Sequence, residues 1–261
     1  MASSDVGILA EDLESVTFLR YGDPSKVGWG PRMRRRFCYF TPDEYYEALL
    51  ARLVREDTLW LDVGCGCELL PKNDRLATVL AGKCKLLVGV DPDAAVKRNP
   101  FTHSYFHGAI EDFDPPQRFN LITLRMVAEH ITNPEAVVKA LKNLLEPSGI
   151  VVVYTVNRWA IVPIATTLLP FRLHHPIKKI LWGTIEEETF PTHYRMNTRQ
   201  HLTKSFGRVE LKEVYFTYLD DCRSFARFKW LHFAELSLWC ALKRFGFNYL
   251  DNCLLGVYGN D

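Results

Sequence analysis

The stretch Leu59-Trp-Leu-Asp-Val-Gly-Cys-Gly-Cys-Glu68 decides how this chain is read. Its first half is a short apolar run without alternation, the pattern of a strand buried on both faces. It ends in Asp62 and then in Gly64 and Gly66, one residue apart. Glycines so placed let a backbone turn tightly and let a ligand come close. A second apolar run, Lys85-Leu-Leu-Val-Gly-Val-Asp91, also ends in an acid. Two buried strands, a glycine turn after the first and a carboxylate after the second, form a site for an adenosine-containing ligand at the carboxyl edge of a parallel sheet.

Outward from this stretch the pattern alternates strand and helix, which marks βαβ units. The strands read at 59–63, 86–90, 104–107, 119–124 and 149–155, with helices near 73–82, 93–97 and 133–145. Asn133-Pro134-Glu135 opens the last of these helices, and Thr41-Pro42-Asp43-Glu44 opens another before the first strand. After 155 the alternation stops. Residues 157–205 hold several prolines and a histidine pair, and a segment of that length is expected to contain helices and to cap a site. The pattern resumes with a strand at 209–218, an amphipathic helical stretch at 225–245 and a last strand at 253–258. The expected organisation is an N-terminal helical lid (1–58), a Rossmann-like core (59–156), an inserted cap (157–205) and a strand-helix-strand unit that completes the sheet (206–261).

Composition narrows the function. The 261 residues carry a net charge of +1, too neutral for a dedicated nucleic-acid binder. The aromatic content of 13% fits either a pocket for a flat or greasy ligand or simply core packing. Seven scattered cysteines include no Cys-x-x-Cys, so no metal is expected and the thiols fit a reducing cytoplasm. The N-terminus lacks the basic and apolar regions of a signal peptide, and no apolar run is long enough to span a bilayer.

The glycine turn then discriminates between cofactors. A nicotinamide fingerprint needs a third glycine at position 69, which is Leu69. Instead, Leu61-Asp-Val-Gly-Cys-Gly66 resembles motif I of the class I S-adenosylmethionine-dependent methyltransferases, and Val88-Gly-Val-Asp-Pro92 resembles the acidic end of their second strand. Gly108-Ala-Ile-Glu-Asp-Phe113 is similar to their adenine loop, and 119–130 to their fourth strand and the start of the next helix. Leu145-Glu-Pro-Ser-Gly149 is similar to the turn before their fifth strand. The chain departs from the pattern at Glu68, where motif I has a third glycine, and at Ala109, where relatives often carry an aspartate.

The resemblance implies a seven-stranded, mostly parallel sheet with helices on both faces and an antiparallel last strand. It implies that Asp62 orients the methionyl end of the cofactor, that Gly64, Cys65 and Gly66 bring the backbone close, and that Asp91 with Pro92 meets the ribose. Ile110 and Glu111 would flank the adenine, and carbonyls at Leu124 and Arg125 would accept from the ammonium. Methyl transfer from a sulfonium needs alignment and exclusion of water, and a base only when the acceptor must lose a proton. His130, beside Glu129, is the candidate base, or else a capping and packing histidine.

For the acceptor, the cluster Arg32, Arg34, Arg35 and Arg36 reads either as an anion site or as a solvated face. Arg35, Tyr39, His174, His175 and Tyr194 are the candidate substrate contacts. The stretch 225–245 reads as a helix packed on the sheet, a dimer face or a peripheral membrane contact. The expected function is transfer of a methyl group to an oxygen, nitrogen or carbon of a small, lipophilic or anionic molecule. Two rivals stay open: an NAD(P)-dependent oxidoreductase, and a protein of this fold that holds the cofactor without transferring methyl.

Overall fold

The computed structural model describes residues 7–23, 26–161, 163–164, 191–247 and 249–260. His174 and His175 lie outside these residues.

The elements in chain order are α1 (Ala10–Tyr21), α2 (Trp29–Arg36), α3 (Pro42–Leu53), β1 (Leu59–Val63), α4 (Asp74–Lys83), β2 (Leu86–Asp91), β3 (Ser104–His107), β4 (Phe119–Arg125), α5 (Pro134–Leu144), β5 (Leu145–Val156), α6 (Arg199–Gly207), β6 (Lys212–Asp220), α7 (Lys229–Arg244) and β7 (Asn252–Gly259). Short 3-10 turns follow β2 and β3, at Ala94–Arg98 and Ile110–Asp112. One sheet of seven strands runs β3-β2-β1-β4-β5-β7-β6. Strands β1 to β5 pair in parallel, and β7 runs antiparallel between β5 and β6.

Unbroken apolar runs form the central strands because both faces are covered. Trp60, Leu87, Leu121, Val152 and Tyr154 face one layer with Leu49, Leu50 and Leu53 of α3 and Leu76 and Leu80 of α4. Leu61, Val88, Ile122, Val151 and Val153 face the other layer with Val137, Val138 and Leu141 of α5 and Leu202 and Phe206 of α6. The helix starts are set locally. The Thr41 hydroxyl accepts from Glu44 N while the Glu44 carboxylate accepts from Thr41 N, a reciprocal cap with Pro42 in the first turn. Asn73, Asn133 and Thr198 cap α4, α5 and α6 through Leu76 N, Ala136 N and His201 N.

Two segments sit differently from the expected divisions. Helix α3, inside the stretch read as a lid, is a core helix with Leu49 and Leu50 fully buried. Helix α6 begins inside the stretch read as a cap, yet Leu202 and Phe206 are fully buried against the sheet, and Phe206 stacks on Tyr258 with ring centroids 4.3 Å apart. Helix α7 leans on α2 through Trp29–His232 and Phe37–Phe233 ring contacts at 6.0 and 5.6 Å. No helix among the described residues is long and apolar enough to cross a membrane.

Candidate active site

Strand order reverses between β1 and β4, and the carboxyl ends of β1, β2 and β4 open the crevice where ligands bind in such sheets. The β1 turn is built on backbone conformation. Gly64 has φ +70°, and a Cβ there would sit 2.2 Å from Val127 Cγ2, so only glycine fits under the loop that follows β4. Gly66 has φ +49° and open space around its Cα, which leaves its backbone approachable. Gly64 N donates to Val90 O at 2.7 Å, tying the turn to β2.

Asp91 locks the same turn from the neighbouring strand. Its carboxylate accepts from Gly66 N at 2.8 Å and from Asp93 N at 2.7 Å. Each oxygen retains a second lone pair for a hydroxyl. Asn99 Nδ2 reaches the carbonyls of Cys65 and Gly66 at 3.4 and 3.3 Å. After the turn, Glu68 is exposed while Leu69 and Leu70 sink into the core, so α4 starts only at Asp74. The chain dives inward at these two leucines before it coils.

Asp62 lies at the end of β1, almost fully buried, and accepts from Thr123 Oγ1 at 2.6 Å. Thr123 in turn accepts from Trp60 Nε1 at 2.8 Å. Burial pushes the Asp62 carboxyl up to about 7, only partly offset by the Thr123 hydroxyl and the Arg125 guanidinium. A carboxyl so poised gains from a cationic ligand beside it. Met126, immediately past β4, adopts a left-handed φ of 52° and donates its N–H to Tyr154 O at 2.7 Å. Backbone strain of this kind gathers at functional sites.

On the β5 side, Glu129 is buried, and Thr155 Oγ1 donates to its Oε2 at 2.6 Å. Asn197 Nδ2 donates to the same hydroxyl at 2.8 Å. The Glu129 carbonyl accepts from His193 N and Tyr194 N at 2.7 and 3.2 Å, so the chain returning at 193–197 is pinned to the loop after β4. His130 Nδ1 lies 3.0 Å from Pro191 O. A carbonyl only accepts, so this contact puts a ring proton on Nδ1, and in the neutral imidazole the lone pair is then on Nε2. Nearby, Asp43 at the start of α3 pairs with Arg223 and lies 3.8 Å from Arg125, and it accepts from Tyr154 Oη at 3.1 Å. Burial raises the Asp43 carboxyl, and the Arg223 and Arg125 guanidinia more than reverse it, so it titrates below the usual range.

The structure therefore brings Asp62, Gly64, Gly66, Asp91, Pro92, Leu124 and Arg125 to one edge, with Glu129, His130 and Tyr194 beside them. Leu124 and Ile110 are buried side chains and Glu111 is exposed. Cys65 turns its sulfur toward β2, where a Cβ on Gly89 would lie 2.6 Å from Sγ, which leaves its backbone for a ligand. One sequence expectation changes. Tyr39 is buried, donating to Asp220 O at 3.0 Å and accepting from Cys222 N at 2.8 Å. Its hydroxyl is consumed in holding the α2–α3 linker to the end of β6 and faces no acceptor. In the arginine run, Arg34 is structural, donating to Tyr21 Oη at 2.8 Å, while Arg35 Nε and Nη1 are buried without a hydrogen-bond partner among the described residues. Sequence reasoning missed Asp43, Thr123, Met126, Thr155, Asn197 and Arg223. Asp43 showed in the sequence only as an acid of a helix start, and Thr123 stands opposite Asp62 in the β1–β4 register, which the folded sheet alone reveals.

The geometry is that of a nucleoside-binding switch point, and comparison with known proteins gives the family. Residues 32–214 match the methyltransferase domain family, most of the chain, and the chain belongs to it. The fold is that of the class I enzymes, and the cofactor of the family is S-adenosylmethionine. The chain is 28% identical over 144 residues to the ubiquinone biosynthesis O-methyltransferase of Glaesserella parasuis serovar 5, covering 50% of this chain and 57% of that protein. It is 29% identical over 159 residues to the protein of the same name from Bradyrhizobium sp. strain ORS 278, covering 57% and 60%. It thus spans about three-fifths of the length of these curated relatives. Among solved structures, a putative methyltransferase from Bacillus halodurans C-125 aligns with a TM-score of 0.50 at 16% identity, over 81% of this chain and 97% of that one, and shares the fold.

Proposed function

We propose that this chain transfers the methyl group of S-adenosylmethionine to a hydroxyl of a small acceptor. The observation that carries the reading is the turn at Gly64–Gly66, with approachable backbone at Gly66 and the carboxylates of Asp62 and Asp91 beside it. These residues fit the cofactor: Asp91 has lone pairs to spare for the ribose diol, Asp62 offers a carboxylate to the cationic methionyl end, and carbonyls at Leu124 and Arg125 complete the ammonium site. The bound cofactor supplies a methyl group on a positively charged sulfur, ready for displacement. The protein's own task is alignment, exclusion of water and removal of one proton.

His130 is placed for that last step. With its Nδ1 proton held by Pro191 O, Nε2 of the neutral ring would take the proton of the acceptor hydroxyl when the methyl group is transferred. Glu129 holds the loop that carries His130 by way of Thr155 and Asn197, and Tyr194 and Arg35 are the described candidates for acceptor contact. The O-methyl direction is supported by the printed activity of the two curated relatives. Nitrogen and carbon acceptors fit the same geometry without a base, and the labelled-methyl experiment separates them.

The test is incorporation of labelled methyl into phenol, catechol, amine and unsaturated acceptors, run on the wild type and on His130→Ala. A hydroxyl acceptor labelled by the wild type, with kcat reduced about 100-fold in His130→Ala, is the expected result for a general base. Cofactor binding with no acceptor labelled would favour a cofactor-holding protein instead.

A further inference from the structure

Helix α7 carries its polarity reversed. A helix that packs on a globular body turns its apolar stripe inward and its polar groups to water. Here the inward side holds His232 and Glu235, both buried and joined Nδ1 to Oε2 at 3.1 Å, together with Leu236. The outward side holds Trp230, 87% exposed, with Leu231, Leu238 and Phe245. Trp230, Ala234, Leu238, Ala241 and Phe245 follow one another at helical spacing, so they line a single exposed stripe. The chain continues the surface at both ends, with Phe228 exposed before the helix and Phe247 and Leu250 after it. The inward side is well held: Trp239 Nε1 donates to Asp220 Oδ2 at 2.9 Å, and Tyr249 Oη donates to Glu235 Oε1 at 3.2 Å. The exposed face is therefore not a helix waiting to turn over.

Charge selects what covers it. The helix and its flanks, residues 220–251, contain Arg223, Arg227, Lys229, Lys243 and Arg244 against Asp220, Asp221, Glu235 and Asp251, but none of those acids is exposed, and Asp221 holds Arg223. Glu235 is buried, and Lys243 pairs with Asp220 at 2.7 Å, so Lys229 and Arg244 flank the stripe as exposed cations. A two-fold contact brings the same patch against itself, and this patch offers no exposed acid to meet its own cations. Aromatic side chains rimmed by Lys and Arg suit the headgroup boundary of an anionic bilayer.

We propose that the outer face of α7 docks on an anionic lipid surface, with the helix lying in the interface. The helix is inserted between β6 and β7, which end and begin at Asp220 and Asn252 on the same edge of the sheet as Gly64 and Gly66. Docking thus brings the edge that holds the site toward the membrane. The proposal does not depend on the acceptor or on methyl transfer.

Flotation of the full chain with vesicles tests this, using phosphatidylcholine alone and phosphatidylcholine mixed with phosphatidylglycerol. The wild type should float with the mixed vesicles, less with neutral ones, and less again at high salt. Trp230→Ser with Phe245→Ser should weaken partition about tenfold or more, as should Lys229→Glu with Arg244→Glu. The four side chains are exposed, and an unchanged melting temperature confirms that the fold survives. Should the serine pair melt early, the charge-reversed pair carries the test by itself. No flotation, or flotation indifferent to both pairs, overturns the proposal. A dimer in sedimentation that the serine pair dissolves, with no lipid binding, overturns it in favour of a second copy.

Discussion

The two ends of the sheet are held together in different ways. At the β1–β2–β4 end the groups that define the site are near neighbours in sequence or face one another across one strand pair. Gly66 meets Asp91 25 residues on, and Asp62 meets Thr123 in the adjacent strand. At the β5–β7–β6 end the tie points are remote: Tyr39 holds Cys222, 183 residues away, and Asp43 pairs with Arg223, 180 residues away. The first end adds to its short-range carboxylate contacts a backbone conformation that only glycine fits, and the second is held by long-range ion pairs and hydroxyl bonds. The lesson is that cofactor binding and the architecture of the acceptor side should be separable by mutation.

The largest effect is expected at Gly64. An alanine there meets a left-handed φ and Val127 at once, and we expect about 4 kcal/mol of lost stability or more, with no measurable cofactor binding. Pairing it with Val127→Ala should recover part of the melting temperature by removing the overlap while leaving the strain. Full recovery would mean that conformation is not what the turn needs. At the opposite end, Arg223→Met strands the carboxylates of Asp43 and Asp221. It should cost about 2–3 kcal/mol in denaturant unfolding, because the site is partly open to water. Cofactor affinity should then change less than threefold once the protein is folded. A large affinity loss would erase the distinction between the two ends.

Asp91→Ala should weaken binding of S-adenosylhomocysteine by about 1–3 kcal/mol in calorimetry. Because Asp91 also secures Gly66 and Asp93, part of that loss should appear as disorder in the β1 turn, visible in amide exchange. The smallest effect is a pH dependence centred on Asp62. Its carboxyl is raised from 3.8 to about 7 in the fold, so its contribution to stability is full below 3.8 and is lost as pH rises through about 7. A cationic ligand has the opposite preference, since it favours the carboxylate. Affinity for S-adenosylmethionine should therefore fall as pH drops below about 7, and Asp62→Asn should flatten that dependence. A profile unchanged in Asp62→Asn would move the titrating group elsewhere.

The central strands were legible because burial on both faces leaves an unbroken apolar run with hard ends, and the glycine turn because positive φ restricts the residue type. Capped starts such as Thr41-Pro42 and Asn133-Pro134 were legible for the same local reason. Tyr39 misled because a tyrosine in an aromatic, arginine-rich segment shows nothing of the carbonyl 181 residues away that its hydroxyl bonds. Glu129 stood out beside His130, but its partners Thr155 and Asn197, 26 and more residues away, did not for the same reason. The stretch 225–245 showed helical amphipathicity correctly, yet period alone does not say which face meets the protein. The buried His232–Glu235 pair settled that the apolar face looks outward.

A calorimetric titration of the wild-type chain with S-adenosylhomocysteine, with NAD as the counter-ligand, tests the central claim most directly. One site that releases heat with S-adenosylhomocysteine and none with NAD is the expected result. Silence with S-adenosylhomocysteine at a protein concentration where the melting curve shows a folded chain would contradict it.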